Sequence, residues 1–230
     1  SERIKRIFIF LQRFMKNKFK AMKLNKKFIM KIIIFLILSL IVFLGYILIK
    51  NLCNNNSYKK IYDVSINKKE LNIIKENLNI QEIDYKWNGV LISGNNPKKI
   101  VIHHAAAENL SPQEVHEMHV SKGWTGIGYH FYIRSDGTIF KGRNENKIGS
   151  HVYGNNTDTL GICLEGNFEE KGVPREQLEA LVNLATYLTL KYDISDIVRH
   201  NDLGVTECPG KLFPFESIKN SIIEKIKNIN

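Results

Sequence analysis

Cysteine is scarce, with three in 230 residues. Three thiols cannot all pair with one another, so no disulfide framework is indicated. The composition is neither that of a disordered chain nor that of a collagen-like one, and no internal repeat is apparent, so a solenoid is excluded. Acidic residues are almost missing from the first 50 positions, where Glu2 stands alone against 12 Lys and Arg. The other 180 residues hold 21 basic and 22 acidic groups, so the net charge of +10 belongs to the N-terminal arm. That removes most of the case for a DNA-binding surface on the folded part, and no nucleic-acid partner is expected.

Charge is absent altogether from 32–49, an apolar run interrupted only by Ser39, Gly45 and Tyr46. Eighteen residues at about 1.5 Å rise each give roughly 27 Å of helix, close to the thickness of a bilayer's hydrocarbon core. A single-pass membrane anchor is expected here. The basic arm before it, with only Lys50 just after it, places the N-terminus in the cytoplasm and the rest outside. A cleaved signal peptide is the closer competitor. The run is long for one, and no small-x-small site follows. Cys53 lies beyond the run without the small residues that lipoprotein processing needs. The organisation expected is a basic cytoplasmic arm (1–31), an anchor (32–49), an extracellular tether with one amphipathic helix near 65–80 (50–86), and one folded domain (87–230).

From Trp87 onward, short β-rich runs alternate with helices, the pattern of an α/β domain with a central mixed sheet flanked by helices. Strands are expected at 99–103, 128–134, 139–143, 159–164 and 196–200. Ser135-Asp136-Gly137-Thr138 is the turn between the second and third. Ser111-Pro112-Gln113-Glu114 combines an N-cap serine, a proline at the first helical position and a glutamate at the third, so a helix begins there and ends near Gly123. Further helices are expected from Pro174 to Tyr192 and from Phe215 to Ile229. No oligomerisation signal stands out, and a monomer is expected.

The residues that carry chemistry are His200 and Cys208, eight positions apart beside Pro209-Gly210, and His103, at the end of the β-branched run Ile100-Val101-Ile102. Each alone is more often structural. Together they sit where strand-like segments end and where loops remote in sequence can converge on one sheet edge. Three protein ligands leave the fourth tetrahedral position to water, the pattern of a catalytic zinc. Cys163 reads as a small apolar core residue. His116-Glu117-Met118-His119 has one residue too few for the helical zinc signature and reads as a solvated helix face.

Five blocks carry a family resemblance: Ile100 to Ala105; Gly126 to Ile133 with Asp136-Gly137-Thr138; Gly149-Ser150-His151; Leu160 to Phe168; and Arg199-His200 to Gly210. In this order they resemble the zinc-dependent N-acetylmuramoyl-L-alanine amidases, the type shared by peptidoglycan recognition proteins and phage amidase-type lysozymes, over roughly residues 97 to 215. The resemblance implies His103, His200 and Cys208 as zinc ligands, Tyr129 as the active-site tyrosine, and cleavage of the amide joining the lactyl group of N-acetylmuramic acid to L-alanine in peptidoglycan. Phage members carry a lysine two residues before the cysteine. This chain has Thr206, as amidase-active recognition proteins commonly do, which leaves the oxyanion to a neutral hydroxyl. Another branch carries a catalytic glutamate at the position of Cys163, for which Glu165 is the nearest substitute here. His151 resembles the family's groove wall and, with Asn156 and Glu165, is assigned to substrate contact. His104 and His130 are expected to be structural. A recognition module that binds muropeptides without cutting them is the alternative reading.

Overall fold

The computed structural model describes residues 9, 12–17, 28, 30, 31, 33–47 and 68–229. The chain falls into two compact units, Ser1–Ser57 and Tyr58–Asn230. In the first unit residues 33–47 are helical. Among the described residues no helix is long and apolar enough to cross a membrane. The expected anchor at 32–49 therefore rests on the sequence, since its ends, like Cys53 and most of the basic arm, lie outside the described residues.

In the second unit the elements run α1 (Lys68–Asn77), β1 (Lys99–His104), α2 (Pro112–Ser121), β2 (Phe131–Ile133), β3 (Ile139–Lys141), β4 (Thr159–Leu164), α3 (Arg175–Tyr192), β5 (Asp196–Arg199), a single 3-10 turn (His200–Asp202) and α4 (Phe215–Lys227). The five strands form one sheet in the order β3-β2-β4-β1-β5, parallel except for the β2/β3 hairpin. This is the mixed α/β sheet the sequence predicts. Parallel strands are covered on both faces, and β4 and the Ile100–Ile102 part of β1 accordingly read as apolar runs, with every residue from Ile100 to His104 buried.

The two faces differ in what covers them. One carries Ile100, Ile102, Leu160, Ile162, Leu164, Phe131 and Ile133, packed against Leu181, Leu184 and Leu188 of α3 and Ile218, Ile222 and Ile226 of α4. The other carries Tyr132, Cys163 and Ile127 beneath Val115 of α2. Helix α2 starts as its sequence dictates: Ser111 Oγ accepts the Glu114 N–H at 3.2 Å, and Glu114 Oε2 accepts the Ser111 N–H at 2.7 Å.

Two expectations differ from what is seen. The stretch 68–86, assigned to the tether, packs on the domain. Leu71 and Ile74 of α1 lie against the α3 side of the core, Leu78 and Tyr85 are buried, and Gln81 bonds to the backbone of β3 through Ile139 and Lys141. The strand expected at 128–134 contracts to Phe131–Ile133, although Gly128, Tyr129 and His130 keep strand-like bonds to Ser150, Arg143 and Gly142. Gly128 runs so close to the neighbouring chain that a Cβ there would meet the Ser150 carbonyl oxygen at 2.1 Å.

Ile162 is fully buried at the centre of β4, facing α3. Ile162→Ala should lower unfolding free energy by about 2–5 kcal/mol through lost transfer energy and a residual cavity, read from urea denaturation. A loss below about 1 kcal/mol would contradict the packing described.

Candidate metal centre

The site is built by register. Strand β2 pairs Tyr132 with Cys163 on β4, and β4 pairs Cys163 with His103 on β1, so the three side chains form one row across the sheet. On the other side of β1, Ile102 pairs with Arg199. The residues that follow, His103 within β1 and His200 just past the end of β5, stand side by side, with ring centroids 4.6 Å apart. His200 is presented by the 3-10 turn, which Asp202 fixes by accepting the Arg199 N–H at 2.8 Å and pairing with the Arg199 guanidinium at 2.8 Å.

Cys208 arrives on a clamped loop. Its carbonyl accepts the Asn201 N–H at 3.0 Å, and its own N–H donates to Thr206 Oγ1 at 3.2 Å. Gly210, at φ 104°, lies so close to Phe168 that a Cβ would come within 2.4 Å of its backbone carbon. The thiol accepts the His104 N–H at 3.3 Å and lies 3.8 Å from His103 Nδ1.

The donor atoms of His103, His200 and Cys208 all lie within 4.8 Å of one another, the one such group of three among the described residues. His103 and Cys208 are buried and His200 half-buried. Two imidazoles and a thiol with no carboxylate suit a borderline-soft divalent cation such as zinc. The electrostatics point the same way. Burial pushes the His103 imidazole well below its usual range, helped by the neighbouring His200 and His104, so it offers a neutral nitrogen. Burial lowers His200 too, and pushes the Cys208 thiol up to about 11 despite the His104 bond. A thiol so placed becomes a thiolate only if positive charge joins the cluster.

Tyr129 stands over this group, its ring 5.2 Å from that of His103. Burial, then the nearby Cys163 and Cys208, drives the phenol's pKa far upward, so it remains a hydrogen donor at neutral pH. Thr206 accepts from Cys208 and keeps its own hydrogen to donate.

The structure places the three residues expected to contact substrate as follows. His151 is 7 % exposed and lies behind His103, its Nδ1 3.0 Å from His103 Nε2. Asn156 holds that loop, its side-chain oxygen accepting the His151 and Val152 N–H groups at 2.7 and 2.9 Å. Glu165 is buried and committed to Arg134, at 2.6 Å, and to the Ser135 N–H, at 2.9 Å. It lines a separate cavity of about 240 Å³ with Asn109 and Lys171. The row of side chains leads to His103 through Cys163, which is free and buried as expected.

His116 and His119 are also buried, contrary to the solvated face expected of them. Their Nδ1 atoms accept the Ile127 and Gly128 N–H groups at 3.2 and 3.1 Å, which anchors the chain leading into Tyr129. His119 also backs an aromatic wall: Trp124, 42 % exposed, lies 4.6 Å from it, and it lies 5.8 Å from Tyr129. The sequence reading missed Trp124. Its signal was an indole beside a glycine in a turn, five residues past His119.

Comparison with known proteins places this geometry. The family model described as N-acetylmuramoyl-L-alanine amidase matches residues 93–211, a stretch containing all three donors and Tyr129. The chain belongs to this amidase family, which takes in phage endolysins and peptidoglycan-recognition proteins. It is 34% identical over 119 residues to the endolysin of Klebsiella phage KP32, covering 48% of this chain and 79% of that one. Among solved structures it is similar to the endolysin N-acetylmuramoyl-L-alanine amidase LysCS from Clostridium intestinale URNW, at 50% identity and TM-score 0.61, covering 62% of this chain and 94% of that one. It also resembles peptidoglycan recognition protein-LE in complex with tracheal cytotoxin, at 27% identity and TM-score 0.56, covering 62% and 93%.

Burial lowers the pKa of His103, His104, His151 and His200, and pushes His119 and His130 down to about 4. An unfolded chain takes up protons on these rings near pH about 6.5, where the folded one does not. Stability of the chelator-treated protein should therefore be level above that pH and fall as pH drops from about 6.5 toward about 4. Urea midpoints at pH 7.5 and 5 check this, and an unchanged midpoint would contradict the burial of these rings.

Proposed function

We propose that this chain is a zinc-dependent amidase that hydrolyses the bond between N-acetylmuramic acid and L-alanine in bacterial peptidoglycan. The observation that carries the reading is the convergence of His103, His200 and Cys208 beside Tyr129. When bound there, zinc supplies a Lewis acid for the scissile carbonyl and lowers the pKa of a coordinated water from about 15.7 to about 7. The protein's own residues do the rest. His103 is held by His151 and Cys208 by the His104 N–H, which fixes where the donor atoms stand. The Tyr129 phenol, kept protonated, donates to the oxygen on which negative charge develops, and Thr206, on the loop that carries Cys208, adds a neutral donor. The complex of the similar recognition protein with tracheal cytotoxin, a monomeric diaminopimelic acid-type peptidoglycan, supports a muropeptide as the substrate class.

The alternative is a module that binds muropeptide without cleaving it. All three donors and the tyrosine are present, which favours the enzyme. We further propose that 32–49 holds the catalytic domain at the outer face of the cell membrane. This is supported by its 18 uncharged residues and by the basic arm before them.

Incubating the full chain with purified sacculi and zinc should release the free amine of L-alanine and the muramic lactyl carboxyl. Cys208→Ser should abolish this together with zinc retention, and Tyr129→Phe should slow it by about a hundredfold or more through loss of one oxyanion donor. A muropeptide that binds but stays intact would establish the alternative. Recovery of the chain in the soluble fraction after cell disruption would overturn the anchor.

A further inference from the structure

His151, although buried in a loop, is fixed from several directions. Its backbone N–H is held by Asn156, and its ring lies across two glycines: a Cβ at Gly149 or Gly161 would meet His151 Cδ2 at 2.5 or 2.6 Å. Its two ring nitrogens face different partners, Nδ1 toward His103 Nε2 at 3.0 Å and Nε2 toward Thr159 Oγ1 at 3.3 Å. Thr159 is itself buried, and its hydroxyl oxygen lies 3.0 Å from the backbone carbonyls of both Asn155 and Asn156.

A hydroxyl has one hydrogen, and a carbonyl oxygen can only accept. If that hydrogen pointed at His151, two carbonyl lone pairs would face the Thr159 oxygen at 3.0 Å with nothing between them. The hydrogen therefore lies toward the carbonyls, and the hydroxyl accepts from His151 Nε2–H. A neutral His151 then has a bare Nδ1, which accepts from His103 Nε2–H. His103 Nδ1 is left without a hydrogen, on the side where Cys208 Sγ lies 3.8 Å away.

We infer that Thr159 is a positioning residue which, through His151, fixes the tautomer of His103 and so holds a bare nitrogen toward the metal cluster. The inference rests on the reading of His103 as a zinc ligand. Partners of this kind orient a ligand imidazole and raise its basicity, and losing one typically costs about 10- to 100-fold in metal affinity. Valine keeps the shape of threonine but neither accepts from His151 nor donates to the two carbonyls. Serine keeps both functions.

Two measurements on the full-length protein test this. In the zinc-free protein, long-range nitrogen–proton correlation spectra of the imidazoles should show His103 and His151 both protonated on Nε2. Finding either protonated on Nδ1 would overturn the relay, whatever the variants do. Chelator competition should then show Thr159→Val binding zinc about 10- to 100-fold more weakly, with Thr159→Ser close to the parent. Equal affinity for valine and parent would overturn the relay while leaving the ligand set intact. No zinc binding by the parent would overturn the metal reading itself, which the metal-free spectra do not depend on. If Thr159→Val does not fold, the spectra of the parent and of Thr159→Ser still decide.

Discussion

Two imidazoles and a thiol crowded within 4.8 Å of one another, with two of the three buried, form an arrangement a protein has little reason to keep for its own stability. None of the three is charged in its preferred state, and none satisfies another well: the Cys208 to His103 approach of 3.8 Å is a weak sulfur contact. A divalent cation would satisfy all three donors at once, and the surrounding architecture holds them together. The parallel register of β1 with β4 and β5 sets two of the donors, and the loop locked against Phe168 delivers the third.

This dependence explains the asymmetry of the sheet. The face toward α3 and α4 is apolar throughout and supplies most of the buried surface. The opposite face holds a thin layer of aromatic and histidine side chains under α2. Stability is thus concentrated on one side, which leaves the other free to carry polar groups that would be costly in a larger core. A rigid sheet between the two holds the donor atoms in place, as a preorganised site requires.

Much of this was legible in the sequence. The Ser111 capping box, the run 159–164 and the long helix after Pro174 are local patterns, and each fell within a residue or so of its place. His103 and His200 were legible because each lies at or just past the end of a strand-like run on neighbouring strands, and Cys208 because it sits eight residues beyond His200 beside a Pro-Gly turn. What escaped depended on contacts remote in sequence. Nothing in 68–86 says that its apolar residues find partners on α3 and β3. Likewise, a histidine pattern on α2 looks the same whether it meets water or the backbone of residues 127 and 128. The burial of His151 escaped for a related reason. Its polar, turn-rich loop suggests a surface, and only the missing side chains of Gly149 and Gly161 make room for its ring inside.

The chain has seven histidines, an abundance that invites stray ions. Yet His104, His116, His119 and His130 each spend their Nδ1 lone pair on a backbone N–H, from Phe168, Ile127, Gly128 and Gly161, and His151 turns its own toward His103. An arriving ion therefore meets unengaged imidazole nitrogen only at His103 and His200. By using the remaining rings as mortar for its loops, the fold confines coordination to a single address without posting any guard around the others.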